Sequence, residues 1–324
     1  MNVKLPSVRD LVKLYGLSAK QTLSQNFIFD KNITDKIVRC AGITAADSLV
    51  VEVGPGKCHS VEAIPEFKRS LLADSAYFRT GPGLLTRSVL DTNVQHVVAL
   101  EKDSRFIPTL TQLADANDHR LKILQGDAMK VAHSDILKLA GINCVDPLKR
   151  IHIVGNLPFN VATPLLIQWL HLLQQQKGLF GATEVWMTLM FQKEVAQRIC
   201  APVNTPHRGR LSVIAQTLCS ANIPYLIPSS AFFPKPKVDA AIVHLKPLPH
   251  QEMPFDLLED VLRFFFTRKR KSASHILNLL QAQLKMDTAL PSSIESNARP
   301  ENITTQQFIQ LAVSLREMGI NRVP

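Results

Sequence analysis

A glycine-rich turn in this chain is interrupted. Val50-Val51-Glu52-Val53-Gly54-Pro55-Gly56 reads as a buried strand entering a tight loop, where glycine permits unusual dihedrals and close approach of the backbone to a ligand. Such a loop should open a helix at once. Instead residues 57–80 intervene before Gly81-Pro82-Gly83-Leu84-Leu85-Thr86-Arg87. Removing Gly56 to Thr80, 80 − 56 + 1 = 25 residues, leaves one continuous motif, Val-Glu-Val-Gly-Pro-Gly-Pro-Gly-Leu-Leu-Thr-Arg. A strand that ends in glycines and feeds a helix N-terminus is the ligand-binding corner of a parallel α/β sheet.

The rest of the chain repeats that alternation. Strands are expected at 48–53, 97–101, 121–124, 151–154, 185–190 and 240–245, and helical periodicity at 33–40, 84–90, 106–116, 164–174 and 192–200. This predicts a doubly wound α/β sheet with helices on both faces. The Pro-rich stretch from Lys246 to Pro254 reads as a linker, and beyond it only helices are expected, at 255–266, 274–284 and 305–318. The expected organisation is an α/β domain over 1–247 and a small all-helical domain over 248–324.

Ligands of such sheets bind at the carboxyl ends of the strands, and four of those ends carry suggestive chemistry. The first is the split turn, with Gly54, Gly56, Gly81 and Gly83. The second is Glu101, placed to accept both ribose hydroxyls of an adenosine, with Lys102 beside it. The third is Gly126-Asp127-Ala128, where an acid can accept from an adenine amino group. The fourth is Gly155-Asn156-Leu157-Pro158-Phe159. An acid is expected about 20 residues after the glycines. Gly54 to Glu101 is 101 − 54 = 47 residues, and 47 − 25 = 22, so the remaining fold is spaced as though residues 56–80 were absent. A dinucleotide site usually shows Gly-x-Gly-x-x-Gly, whereas Gly-Pro-Gly-Pro-Gly suits S-adenosylmethionine better.

Asn156-Leu157-Pro158-Phe159 matches the pattern of enzymes that methylate exocyclic amines of bases. Adenine N6 is a poor nucleophile because its lone pair is delocalised into the ring. Two acceptors, the Asn156 side-chain oxygen and the Leu157 carbonyl, can hold both N–H bonds and favour a more tetrahedral nitrogen. Pro158 stiffens the turn, and Phe159 offers a face for a flipped base. Phe232, in Ala231-Phe232-Phe233-Pro234-Lys235-Pro236-Lys237-Val238-Asp239, is a second stacking candidate, and Lys235 and Lys237 suit phosphate. Taken alone, Phe232 and Phe233 read more readily as core than as a stacking platform.

Lys and Arg outnumber Asp and Glu by 37 to 27, giving a formal charge of +10 that favours a polyanionic partner. The five cysteines, at 40, 58, 144, 200 and 219, form no CxxC pair. They read as reduced thiols of an intracellular protein, and no metal site is expected. No apolar run approaches the ~18 residues of a membrane span. Residues 1–20 are basic and loosely amphipathic, which fits a transit peptide and an ordinary helix alike.

Together these blocks resemble the small-subunit ribosomal RNA adenine dimethyltransferase family. Leu23-Ser24-Gln25-Asn26-Phe27-Ile28 resembles its Gln-Asn-Phe-Leu block. The split glycine turn, the Gly-Asn-Leu-Pro-Phe turn, Phe232-x-Pro-x-Pro-Lys-Val-Asp and Phe265 to Lys271 follow in the family's order. The resemblance covers the chain except 56–80. Leu5-Pro6-Ser7-Val8-Arg9, Arg105-Phe106-Ile107-Pro108, Phe159 and Arg299-Pro300 resemble the family's mitochondrial branch. It implies a Rossmann-like S-adenosylmethionine methyltransferase, acting as a monomer in the mitochondrial matrix. Its expected activity is dimethylation of two adjacent adenines in the 3′ hairpin loop of small-subunit rRNA. It also implies that Gln25, Asn26, Ile28, Gly54, Glu101, Asp127 and Asn156 contact the cofactor. Arg263, Arg268, Lys269, Arg270 and Lys271 are the candidates for RNA phosphates.

A non-enzymatic alternative is a transcription-initiation factor that keeps the fold, loses the chemistry and partners mitochondrial RNA polymerase. An enzyme acting on large-subunit RNA fits less well, given the size of the helical part. The interruption is either a loop at the mouth of the cofactor pocket or a retained intron. For the intron, Gly56-Lys57 can be encoded with a GTAAG donor and Thr80-Gly81 with an AG acceptor, in frame.

Overall fold

The computed structural model describes residues 27–28, 30–55, 83–142, 150–181, 184–233, 235–285 and 291–323. The N-terminal pattern, Gln25, Asn26, Gly56, Gly81 and the whole interruption lie outside them. Two compact units emerge, one of Met1–Lys193 with Ile223–Leu245 and one of Glu194–Asn222 with Lys246–Pro324.

The first unit begins with a short strand, β1 (Phe27–Ile28), and helix α1 (Lys31–Ala41). The Asp30 side chain caps α1 by accepting from Asn32 N–H, and Gly42, at φ 69°, ends it in the left-handed conformation. Then come β2 (Leu49–Val53), α2 (Leu84–Leu90), β3 (Val97–Glu101), α3 (Ile107–Asp115), β4 (Leu121–Gln125), α4 (His133–Ala140), β5 (Ile151–Gly155), α5 (Phe159–Gln174) and β6 (Val185–Gln192). Every residue of β2, β3 and β5 is buried, which is why these strands read as near-continuous apolar runs broken only by Glu52, Glu101 and His152, the mark of parallel strands covered on both faces. Helix α5 starts at Phe159, five residues earlier than its periodicity predicts, and carries Pro164 inside it.

Two helices, α6 (Lys193–Ile199) and α7 (Arg210–Leu218), lead into β7 (Cys219–Ile227), followed by β8 (Phe232–Phe233) and β9 (Ala240–Pro247). The main sheet has the order β4-β3-β2-β5-β6-β9-β7. Strands β4, β3, β2, β5 and β6 run parallel, and β9 is antiparallel to β6. The order reverses at β2, between β3 and β5, which makes this edge the topological switch point where ligands bind. Neither α7 nor β7 is expected from the sequence. Strand β7 alternates exposed and half-buried residues and contains Pro224, a composition tolerated because it is an edge strand.

The second unit adds α8 (Phe255–Phe266), α9 (Ala273–Leu284) and α10 (Thr305–Glu317). Phe265 meets Phe308 edge to face at 5.6 Å. The segment 194–222 belongs with these helices, whereas the sequence places the boundary at 247. Arg208 shows why: it is 1% exposed and donates to the carbonyls of Ala201 and Ile303, to Gln216 Oε1 and to Thr305 Oγ1. One guanidinium thus ties the earlier segment to the start of α10.

Candidate active site

The four strand ends singled out in the sequence share one edge of the sheet. Val53 pairs with Leu100 and with Gly155, and Glu101 pairs with Gln125. Gly54, Glu101, Gly126-Asp127 and Gly155-Asn156 therefore emerge side by side, flanking the switch point.

The two halves of the interrupted turn meet. Gly83 N–H donates to the Pro55 carbonyl at 3.0 Å, and Gly54 N–H donates to Leu100 at 2.9 Å. Both glycines hold positive φ, 73° at Gly54 and 81° at Gly83, where a side chain is strained. A Cβ on Gly83 would also sit 3.2 Å from Leu113 and from Thr86. Helix α2 is moored independently of the interruption. Ser88 Oγ donates to Asp35 at 2.6 Å and lies 2.8 Å from Thr34 Oγ1, while Lys31 bridges Asp35 and Asp91 at 2.7 and 2.9 Å.

Glu101 is buried, and its carboxylate accepts Asp103 N–H at 2.8 Å. Asp127 accepts from the Lys102 ammonium at 2.8 Å and from Met129 N–H at 3.0 Å. The Lys102 bond and then the Met129 bond hold its pKa below the usual carboxylate value, so Asp127 is ionised and purely an acceptor. Lys102 thus serves Asp127, and Ala128 continues the same turn. At Gly155 a Cβ would lie 3.1 Å from the Val53 carbonyl, closer than ordinary van der Waals contact, so a side chain there would press on the β2 backbone. Asn156 is half-buried and Leu157 is buried. The Pro158 carbonyl accepts from Val161 and Ala162, which starts α5 with half-buried Phe159 at its first turn.

Strand pairing joins two blocks that are far apart in sequence. Phe27 pairs with Phe233 and Ile28 with Phe232, so the end of the Gln-Asn-Phe block lies against the Phe-Phe loop. Ile28 and Phe232 are 9% and 4% exposed and both belong to the core. Of the two stacking candidates, Phe159 is therefore the one with open surface. Sequence reasoning missed the clasp on this loop: Asp239 accepts Ser229 N–H at 2.9 Å, closing residues 229–239. Lys235 and Lys237 are exposed on it.

The profile of the family described as ribosomal RNA adenine dimethylase matches residues 78–317. The chain belongs to that family. Dimethyladenosine transferase 1, mitochondrial, of Macaca fascicularis is 39% identical over 325 residues, covering 97% of this chain and 86% of that protein. Its Xenopus tropicalis counterpart is 38% identical with the same coverage. A dimethyladenosine transferase from Plasmodium falciparum shares the fold, with a TM-score of 0.64 at 24% identity over 91% of this chain and 98% of that one. As a member of the ribosomal RNA adenine dimethylase family, the chain is an S-adenosylmethionine-dependent rRNA adenine dimethyltransferase. Its site fits that cofactor: two glycines with positive φ leave room for the ligand, and a buried acid and an ionised acid stand at neighbouring strand ends.

Proposed function

We propose that this enzyme places two methyl groups on N6 of each of two adjacent adenosines in the 3′-terminal hairpin loop of mitochondrial small-subunit rRNA. The observation that carries the reading is the position of Asn156-Leu157-Pro158-Phe159 at the end of β5, next to the glycine turn on the switch-point edge. The Asn156 oxygen and the Leu157 carbonyl accept the two N6–H bonds and bring the lone pair out of conjugation. Phe159 stacks on the flipped base. Glu101 takes the ribose hydroxyls and Asp127 the adenine amino group of the cofactor, with Gly54 and Gly83 letting the backbone close on it. S-adenosylmethionine supplies an electrophilic methyl carbon whose bonding pair stays on the departing sulfur. The N6 proton leaves to solvent after the N–C bond has formed, so no general base is needed.

The mitochondrial names of the relatives support that location, and the matrix and a monomeric state are proposed with it. The helical unit is proposed to grip RNA. A contact with mitochondrial RNA polymerase is proposed as a separate role, tested by co-purification from organelle extract. We also propose that the working enzyme lacks residues 56–80. The Pro55–Gly83 hydrogen bond supports this, because in the shortened chain the two residues stand in the i and i+3 positions of a β-turn. A mature message retaining the codons for 56–80 sinks this second point.

The dimethylation reading is tested by mass spectrometry of the 3′ hairpin of organellar small-subunit rRNA after depletion of the protein. Loss of N6,N6-dimethyladenosine at both adenines is expected, and unchanged dimethylation refutes the reading.

A further inference from the structure

One run that the sequence sets apart, Arg105-Phe106-Ile107-Pro108, follows closely on Glu101. Residues 104–106 form a single 3₁₀ turn that leads straight into α3. Pro108 stands in the first turn of that helix, where its missing N–H is not needed. Asp103 caps the 3₁₀ turn. Its side chain accepts Arg105 N–H at 3.1 Å, and its carbonyl accepts Phe106 N–H at 3.1 Å. Phe106 is 1% exposed and anchors the turn in the core. With Asp103 held in this way, its own N–H is directed at Glu101 and donates to Oε1 at 2.8 Å.

The charges on this turn act in the same sense. Glu101 is 5% exposed at the end of a buried strand, and burial favours the protonated form of an acid. The Asp103 carboxylate, two residues on and itself nearly buried, adds a like charge close by. Arg105 offsets that charge. Its Nε donates to Asp103 Oδ1 at 2.8 Å and to Oδ2 at 3.0 Å, and Nη2 also reaches Oδ2. Such a fork is the strong and directional form of an ion pair. The hydrogen bond to Asp103 raises the Arg105 pKa, burial opposes the rise, and the charges of Asp103 and then Glu101 add to it. The guanidinium therefore acts on both carboxylates. Lys102, the neighbouring cation, is bonded to Asp127. The charge state matters to a ligand, because an ionised carboxylate accepts from two hydroxyls at once, whereas a protonated one carries a donor of its own.

We infer that Arg105 is a positioning residue for the ribose of the cofactor. Its fork neutralises Asp103 and fixes the Asp103 N–H on Glu101, and so keeps Glu101 ionised and aimed at the two ribose hydroxyls. Arg105 acts through Asp103 and Glu101 and not on the methyl group. The inference rests on the assignment of Glu101 to the ribose hydroxyls proposed above. It ties the Arg-Phe-Ile-Pro run to cofactor affinity.

The test is calorimetric titration of the full chain with S-adenosylhomocysteine and with its 2′,3′-dideoxy analogue. The wild type should favour the hydroxylated ligand by about 10²-fold, the scale of hydrogen bonds to a charged acceptor. Arg105→Gln should weaken S-adenosylhomocysteine by about tenfold and leave the dideoxy analogue within about twofold, so the preference falls to about tenfold. Arg105→Lys keeps the charge and loses the fork, and should stand between the two at about 30-fold. In steady-state methylation Arg105→Gln should raise KM for S-adenosylmethionine by about tenfold with kcat at saturation unchanged. Both ligands are read on the same folded protein, so the preference decides even if a variant lowers Tm. An Arg105→Gln chain that weakens both ligands equally, or neither, overturns the inference. Glu101→Gln separates that failure from failure of the underlying reading. A preference that Glu101→Gln abolishes and Arg105→Gln leaves intact overturns the role of Arg105 alone. A wild-type chain that binds both ligands equally, or neither, overturns the ribose assignment of Glu101 and the inference with it.

Discussion

Deleting Gly56 to Thr80 should strengthen the protein. The chain as written must bring Pro55 and Gly83 within a 3.0 Å hydrogen bond across residues 56–82, which is 82 − 56 + 1 = 27 residues. The deletion leaves 27 − 25 = 2. With a closure cost that grows as (3/2)RT ln n, the ratio 27/2 corresponds to about 2.3 kcal/mol of entropy recovered. For a chain of this size that is a Tm increase of about 3 °C. The mooring of α2 through Ser88, Asp35 and Lys31 does not involve the deleted residues, so nothing else need shift. Scanning calorimetry of both chains, with and without S-adenosylmethionine, reads the effect. Cofactor Kd should hold or tighten, by no more than the ~40-fold that 2.3 kcal/mol allows. A shortened chain that melts lower, or that no longer binds cofactor, refutes the reasoning that the two halves form one turn.

Asn156→Ala should cut kcat by about 10²-fold, the scale of losing one preorganised polar contact to the reacting group. Single-turnover methylation checks it, and a near-normal rate would remove Asn156 from the chemistry. Asp239→Ala opens the clasp at Ser229 and should lower kcat by roughly tenfold, with little change in KM for RNA. Asp239→Asn keeps an acceptor and should restore most of the rate, so equal rates in both variants would contradict a positioning role. His152 is fully buried beside Asp47, 3.2 Å away, with Arg150 and Glu184 near. Burial, opposed by Asp47, pushes its pKa down to about 4. Its folded pKa lies below the unfolded value of about 6.5, so the unfolded chain takes up the proton first. Stability should be intact above pH 6.5 and fall by up to about 3 kcal/mol towards pH 4. Denaturant titrations of wild type and His152→Phe across that range should show the acid-side slope only in the wild type.

Much of the site was legible because its residues are dictated locally. Gly54 and Gly83 stand where a Cβ would be strained, Gly155 where it would crowd the Val53 carbonyl, and the strands between them are buried and largely apolar. The spacing from Gly54 to Glu101 disclosed the interruption because the parallel β2–β3 register fixes where an acid can stand. What the sequence hid is relational. Pairing of Phe27 with Phe233 and Ile28 with Phe232 spans some two hundred residues and leaves no periodicity. Phe232 looked like a stacking platform, but that pairing turns it into the core. Lys269 looked like a phosphate ligand, and only the fold shows that it is spent on the Pro206 and Arg208 carbonyls. Segment 194–222 was assigned to the sheet domain because no local signal announces that Arg208 bonds to Ile303 and Thr305.

The central claim is that this edge of the sheet dimethylates adenine in rRNA. The most direct test incubates the purified chain, in its 324-residue form and with 56–80 deleted, with S-adenosylmethionine and a small-subunit 3′ hairpin RNA, followed by mass spectrometry of the nucleosides. N6,N6-dimethyladenosine at both adjacent loop adenines, formed at least as fast by the shortened chain, is the predicted result. Cofactor binding with no methyl transfer by either form would contradict it and would favour a factor that keeps the fold without the chemistry.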